Sequence, residues 1–412
     1  MLIKFNFENY KGFKDYVSLD MLATSLKEHQ YNLIDTGDDK LLKIAAIYGA
    51  NASGKTTVLD AFHFMASFVR NSFKNSTSNI DIPLKRFAFD KDSKKKPSEF
   101  EVFIKYKNNE YQYGFKMDDK KILEEWLYKR DLRFKKNIKY NILFEREGKQ
   151  IDCSQKLKEA NGLKSIVEDN TLFLSICSNA KIPYVKDVME WFSNTIFVNM
   201  GNCEIEAYLT RGVSSGIENR EYQKEVVKFL NAIDISIEDI YVEKMSIESE
   251  KARYNIYSCH KVKGEKELVK LPFTEESSGT QKMFAMYNLF KHSIEKGLPI
   301  FIDELDAKLH PLLMKYILSM FHSEETNSKG AQLIYTAHDD FTLSKDVFRR
   351  DQIWFVEKDI DSVATLYSLA EYKIGDKKVR NDASYSKDYL AGKYGAIPIL
   401  NKFEINRELE HE

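Results

Sequence analysis

The sequence predicts an α/β protein: a mostly parallel sheet flanked by helices, with its chemistry gathered at one edge of the strands. Three observations predict it. A mostly apolar run, Leu41 to Tyr48, feeds a glycine-bearing loop and then a helical pattern from Val58. A second run, Pro299 to Ile302, ends in two acids, Asp303 and Glu304. A third, Gln332 to Ala337, ends at His338. Short apolar runs of this kind read as strands buried on both faces, and α/β folds place ligands at the carboxyl ends of such strands.

The loop between the first run and its helix, Gly49 to Thr56, fits G-x-x-x-x-G-K-[ST] at every fixed position. A strand, a tight loop and a helix N-terminus make an anion site, because unpaired backbone N–H groups point at the phosphates. Gly49 and Gly54 permit the turn and the close backbone approach. Asn51, Ala52, Ser53 and Thr57 complete the expected phosphate cradle. Lys55 is placed to reach the β- and γ-phosphates, and the Thr56 hydroxyl to ligate Mg²⁺. The plainer reading, a chance glycine turn, loses to the flanking strand and helix.

The paired acids divide the remaining work. Asp303 is expected to hold Mg²⁺, directly or through water, and Glu304 to orient and deprotonate the attacking water. Alone, they also suit a strand that merely stops at a charged turn. His338, one strand later, is placed to meet a γ-phosphate or the water. Upstream, Ser277 to Gln281 precedes an amphipathic run beginning at Met283. That is an ordinary helix cap whatever the function. Phosphate chemistry suits the same geometry, since a helix N-terminus with a serine hydroxyl will bind a γ-phosphate.

In this order the four stretches resemble ATP-binding-cassette (ABC) ATPases of the SMC, RecF and OLD branch. Ser277-Ser278-Gly279-Thr280-Gln281 resembles that family's LSGGQ, with Thr280 in place of the second glycine. Leu305 to Pro311 resembles the OLD-type D-loop with its closing His-Pro, His338 the switch histidine, and Met1 to Phe13 the branch's opening strand. Tyr389 to Pro398 is similar to stand-alone ATPases that bacteria encode beside a toxin or nuclease in anti-phage cassettes, RloA-like and PARIS-type proteins among them. The resemblance covers residues up to about 90 and from about 265 onward. It implies an ABC-type P-loop ATPase head that uses ATP and Mg²⁺. It also implies a homodimer, or a higher homo-oligomer, closed on ATP through Ser278 and Gly279 of the second copy. A separately encoded toxin or nuclease effector is the implied partner. A RecF-like DNA-repair ATPase and a slow-turnover scaffold that sequesters its partner remain the alternatives, the first with DNA as ligand. One departure stands out: no glutamine occupies the place of the family's Q-loop.

Composition agrees with a soluble protein. The chain has 412 residues, 43% hydrophobic and 13% aromatic, and a net charge of −1. No global field draws it to nucleic acid or anionic lipid. No apolar run approaches the roughly 18 residues of a membrane span, and Met1 to Phe13 carries charge where a secretion signal is apolar. Cys153, Cys177, Cys203 and Cys259 lack metal-ligand spacing and read as free thiols. A cytoplasmic location without a membrane partner is the expectation.

Since the site needs both ends of the chain, residues 1–90 and 265–412 are expected to form a discontinuous head, with 91–264 as an inserted lobe. The lobe reads as a mixture of strand and helix. Glu99 to Tyr106 alternates with period two, turns at Asn108-Asn109 and returns as Glu110 to Phe115. Strands follow near Glu125–Arg130 and Ile142–Arg146, then a largely helical stretch from Gln155 to Leu230. Asp359-Ile360-Asp361 reads as a strand-end turn. Lys129 to Lys149 holds eight basic residues against three acids, with aromatics among them. Such a stretch can bind phosphates and stack bases, but a lysine-protected, solvated edge hairpin is the preferred reading.

Overall fold

The computed structural model describes residues 1–74, 82–133, 139–201, 217–233, 235–244, 254–264 and 267–398. Cys203 and the stretch Phe134-Lys135-Lys136, both raised by the sequence, lie outside these. In chain order the strands are β1 (Leu2–Glu8), β2 (Val17–Asp20), β3 (Leu33–Asp35), β4 (Lys40–Leu42) and β5 (Ile44–Gly49). Helix α1 (Lys55–Asn71) follows, then β6 (Ser98–Tyr106), β7 (Asn109–Met117), β8 (Ile122–Asp131), β9 (Asn141–Glu147) and β10 (Gln150–Cys153). Next come α2 (Phe173–Asn179), α3 (Val185–Asn194), β11 (Ile196–Asn199), α4 (Arg220–Ala232), β12 (Asp239–Lys244), β13 (Tyr254–Lys261) and β14 (Leu268–Pro272). The chain continues with α5 (Ser278–Lys296), β15 (Pro299–Asp303), α6 (Pro311–His322), β16 (Gln332–Thr336), β17 (Ile353–Lys358), β18 (Ala364–Ser368), a short hairpin and α7 (Tyr385–Leu390).

The α/β class expected from the sequence is the one observed. The central sheet runs β11-β15-β16-β5-β17-β18, parallel except for the antiparallel pair β17–β18. Its strands are apolar on both faces because each face meets a different core. Ala45, Ile47, Phe301, Ile334 and Val356 point into one core, with α1, α2 and α3. Their alternates Ala46, Tyr48, Ile302, Tyr335 and Phe355 point into the other, with α4, α5 and α6. Helix α1 is tied to β15 by Phe62 stacked on Phe301, centroids 3.8 Å apart. Truncating such a contact costs about 3–5 kcal/mol.

A second, antiparallel sheet runs β10-β9-β8-β7-β6-β1-β2. Here the strand pairing departs from the expected division of the chain. The hairpin β6–β7 and strands β8 to β10 do not stand apart; β6 pairs with β1 in register from Phe5↔Val102 to Glu8↔Glu99. Likewise β11, in a stretch read as helical, joins the central sheet beside β15. The basic stretch is not an edge hairpin either: β8 is paired on both sides, by β7 and β9. Among the described residues no helix is long and apolar enough to cross a membrane.

Candidate nucleotide site

Parallel register assembles the site. Asn199 lies opposite Asp303, Thr336 opposite Ile47, and Val356 opposite Gly49. The carboxyl ends of β11, β15, β16, β5 and β17 therefore share one edge. The loop from Gly49 to Lys55 has little freedom. Gly49 has φ +154°, and a Cβ there would sit 2.4 Å from the Val356 carbonyl oxygen. Gly54, at φ +115°, caps α1.

Lys55 is 5% exposed, and its ammonium donates to the carbonyls of Gly49 at 2.8 Å and Ala50 at 3.1 Å. Burial pushes its pKa below the ordinary lysine value, against the nearby Asp303, Asp306 and Glu304. Asp303 is the hub of the edge. Its Oδ1 accepts from Thr56 Oγ1 at 3.1 Å and Thr336 Oγ1 at 2.6 Å, and its Oδ2 from Asn199 Nδ2 at 3.0 Å. Burial raises its pKa, while the Thr336 and Thr56 hydroxyls hold the rise back. A hard oxygen pair, Thr56 Oγ1 and Asp303 Oδ1, fits a Mg²⁺ ion, which takes one or two protein oxygens and leaves the rest to phosphate and water.

Glu304 adopts φ +56°, left-handed for a residue with a side chain. Such a conformation costs of order 1–3 kcal/mol and persists where neighbours fix it. Here the Glu304 N–H donates to Thr336 Oγ1 at 2.8 Å, and its carbonyl accepts from the Ala307 N–H. The imidazole of His338 is flanked on both nitrogens, by Asn51 Oδ1 at 3.1 Å and Glu304 Oε1 at 3.4 Å. The turn that carries it is fixed by Asp306, whose Oδ2 accepts from the N–H groups of His338 and Asp339.

A pocket of about 690 Å³ opens over this edge, lined by Ala50 to Thr57, Glu304 and His338. Its outer wall comes from residues that sequence reasoning did not mark: Lys11, Arg86, Phe89 and Lys358. Phe89 is 71% exposed, an aromatic face open to the pocket. Two further residues were missed. Asn199 holds Asp303, and Gly201 lies so close to Glu304 that a Cβ would sit 2.2 Å from its carboxylate. The run Ile196 to Asn199 repeats the apolar-then-polar design of the other strand ends, a pattern that would have found it.

The residues of α5 stand apart. Ser278, Gly279 and Gln281 do not line this pocket. Ser277 caps the helix by accepting from the Thr280 N–H at 3.1 Å. The Gln281 amide donates to the carbonyls of Thr274 and Glu276, so it holds the helix entry. Ser278 is exposed, and Gly279 is partly exposed, where a Cβ would make ordinary contacts with Lys308 O at 3.7 Å and Ser277 Oγ at 3.8 Å. Lys282, buried on the same helix, donates to the Leu305 and Ala307 carbonyls and ties α5 to the turn after Glu304.

A family described as "AAA domain, putative AbiEii toxin, Type IV TA system" matches residues 44–344, most of the chain. The chain belongs to this family. Its loop at Gly49–Thr56 and the acids at the end of β15 make it a P-loop domain of ATPase type. Similar solved structures include the recombination mediator RecF in its RecF-ATPrS form, at 14% identity and TM-score 0.37 over 89% of this chain and 98% of that one. Its RecF-ATP form matches at 14% identity and TM-score 0.34 over 89% and 97%. The cbiO1 protein of Clostridium perfringens, part of the ABC transporter complex cbiONQ, matches at 12% identity and TM-score 0.28 over 95% and 92%. No curated protein matches the chain.

Proposed function

We propose that this AAA-family chain hydrolyses ATP in a site completed by a second copy of itself, and that closure and release of the dimer control a separately encoded toxin or nuclease. The observation that carries the reading is the split of the site. The phosphate loop, Asp303, Glu304 and His338 converge in one chain, whereas Ser278, exposed, and Gly279, partly exposed, start a helix that does not line that pocket. Lys55 leaves its loop carbonyls for the β- and γ-phosphates. Thr56 and Asp303 hold Mg²⁺, which when bound neutralises charge developing on the phosphates. Glu304 takes the proton of the attacking water, and His338, between Asn51 and Glu304, steadies the γ-phosphate side. Ser278 and Gly279 of the second copy close over the same phosphate with a helix N-terminus. The family description, with its toxin and its Type IV system, supports a toxin–antitoxin setting. A cytoplasmic location belongs to the same reading.

Glu304→Gln tests it. Turnover should fall by about 10²–10⁴, the usual range for a lost general base, while ATP binding persists and the dimer accumulates. Sedimentation of the variant with and without ATP reads this directly. Equal monomer and dimer populations in the two conditions would overturn the clamp.

A further inference from the structure

Far from the nucleotide edge, strand β8 carries two buried charged residues with opposite fates. Glu125, 1% exposed, is fully satisfied. Its carboxylate accepts from the Tyr113 hydroxyl and from the N–H groups of Phe173 and Leu174, and Arg146 lies 3.7 Å away. Lys129, two turns of the pleat further on the same face, is 7% exposed, and its ammonium makes no hydrogen bond or ion pair among the described residues. It sits 3.9 Å from the centre of the Tyr184 ring. The stem of Lys129 is buried, while its ammonium stays open to solvent, held by no anion among the described residues, unlike the Glu125 carboxylate.

Lys129 borders a pocket of about 390 Å³, lined also by Lys107, Arg133, Lys156, Asp131 and Tyr184, with the side-chain amides of Asn108, Asn109 and Asn141. That volume falls within the about 300–1,000 Å³ of small-ligand sites. The charges do not cancel. Lys107 is paired with Asp187 and Glu190, and Arg133 with Asp131. Lys129 and Lys156 remain without an ion-pair partner among the described residues. Two uncompensated cations match the roughly two negative charges of a phosphate monoester at neutral pH.

We propose that this pocket is a second ligand site, which binds a phosphate monoester of nucleotide size through Lys129 and Lys156, with the three asparagines contacting the remainder. Burial holds the Lys129 pKa down, and a bound phosphate would relieve that strain. The phosphate has two natural sources, a free nucleotide or the phosphorylated end of a nucleic-acid strand.

Calorimetric titration of the full-length Lys55→Ala protein, whose phosphate loop is disabled, tests this with AMP, adenosine and a short single-stranded DNA bearing either a 5′-phosphate or a 5′-hydroxyl. AMP or the phosphorylated strand should bind saturably, and adenosine and the hydroxyl strand should not. Which of the two binds tighter identifies the source. Adding Lys129→Met should weaken binding by about tenfold or more, the scale of a lost charged hydrogen bond, without lowering the melting temperature. Adding Lys156→Ala, at an exposed position, should weaken it less. The proposal is overturned if neither phosphate probe binds, or if both lysine variants leave the affinity unchanged.

Discussion

The two halves of the candidate site differ in how the chain finishes them. At the phosphate loop the main side chains are held within one copy: Lys55 on carbonyls, Thr56 and Thr336 on Asp303, His338 between Asn51 and Glu304, while the buried Ser53 hydroxyl has no partner among the described residues. At the start of α5 Ser277 and Gln281 are engaged in making the helix, while Ser278 is exposed and Gly279 partly so. A half whose charged side chains are already positioned within one copy is built to hold a ligand alone. A half that ends in an uncovered helix N-terminus is built to meet something. The contrast teaches that the loop and the helix are separable by mutation, although one reaction uses both.

Gly279→Arg should break the comparison most strongly. A Cβ there meets only ordinary contacts, with Lys308 O and Ser277 Oγ, and the position is partly exposed, so the fold and ATP affinity should hold. Turnover should fall by about 10³, the scale of losing a preorganised phosphate contact, and ATP should no longer drive association. Mixing this variant with Glu304→Gln sharpens the point. One site of the mixed dimer then takes its loop and Glu304 from the first protein and an intact helix start from the second. Turnover should appear in the mixture where neither protein has it alone. A mixture as inactive as its parts would place the whole site within one chain.

Gly201→Val probes the phosphate-loop half with a smaller effect. A Cβ at this position meets the far end of the Glu304 side chain, 2.2 Å from Oε2, and the carboxylate can swing away without disturbing the backbone. A misplaced general base should lower turnover by about 10²-fold, with ATP affinity and melting temperature little changed. Unchanged turnover would remove Glu304 from the chemistry.

How legible all this was depends on how local each feature is. The phosphate loop declares itself because close backbone approach demands glycine at Gly49 and Gly54, and both lie within six residues of Lys55. Asp303 and Glu304 follow from an apolar run stopped by acids. Asn199 obeys the same rule, but its strand is four residues long and sits between helices, so the surrounding period hid it. The pairing of β6 with β1 was out of reach, since alternation shows that a strand exists but not which strand it joins. The pocket wall at Lys11, Arg86, Phe89 and Lys358 comes from three separate parts of the chain and has no sequence pattern at all. Lys129 was read as part of a charged run, yet it shares the inward phase of β8 with Glu125 and Leu127. Period-two counting, applied to the charges as well as to the apolar residues, would have placed it inside.

The smallest effect is expected at Thr336, which sequence reasoning took only as the end of a strand. Its hydroxyl donates to Asp303 and accepts from the Glu304 N–H, so it supports both acids at once. Thr336→Val keeps the shape and removes both bonds. A buried N–H left without a partner costs about 1–3 kcal/mol of stability, readable as a lower denaturation midpoint. The pH consequence follows from the charge. Burial already raises the Asp303 pKa, and the Thr336 hydroxyl opposes that rise by favouring the ionised form. Without it the pKa climbs further, and the carboxylate takes up its proton at a higher pH. Mg²⁺ needs the ionised form, so the acid limb of Mg²⁺-dependent ATP binding should move upward in pH. A loss of stability with an unmoved acid limb would mean that Asp303 is not the group that meets the metal.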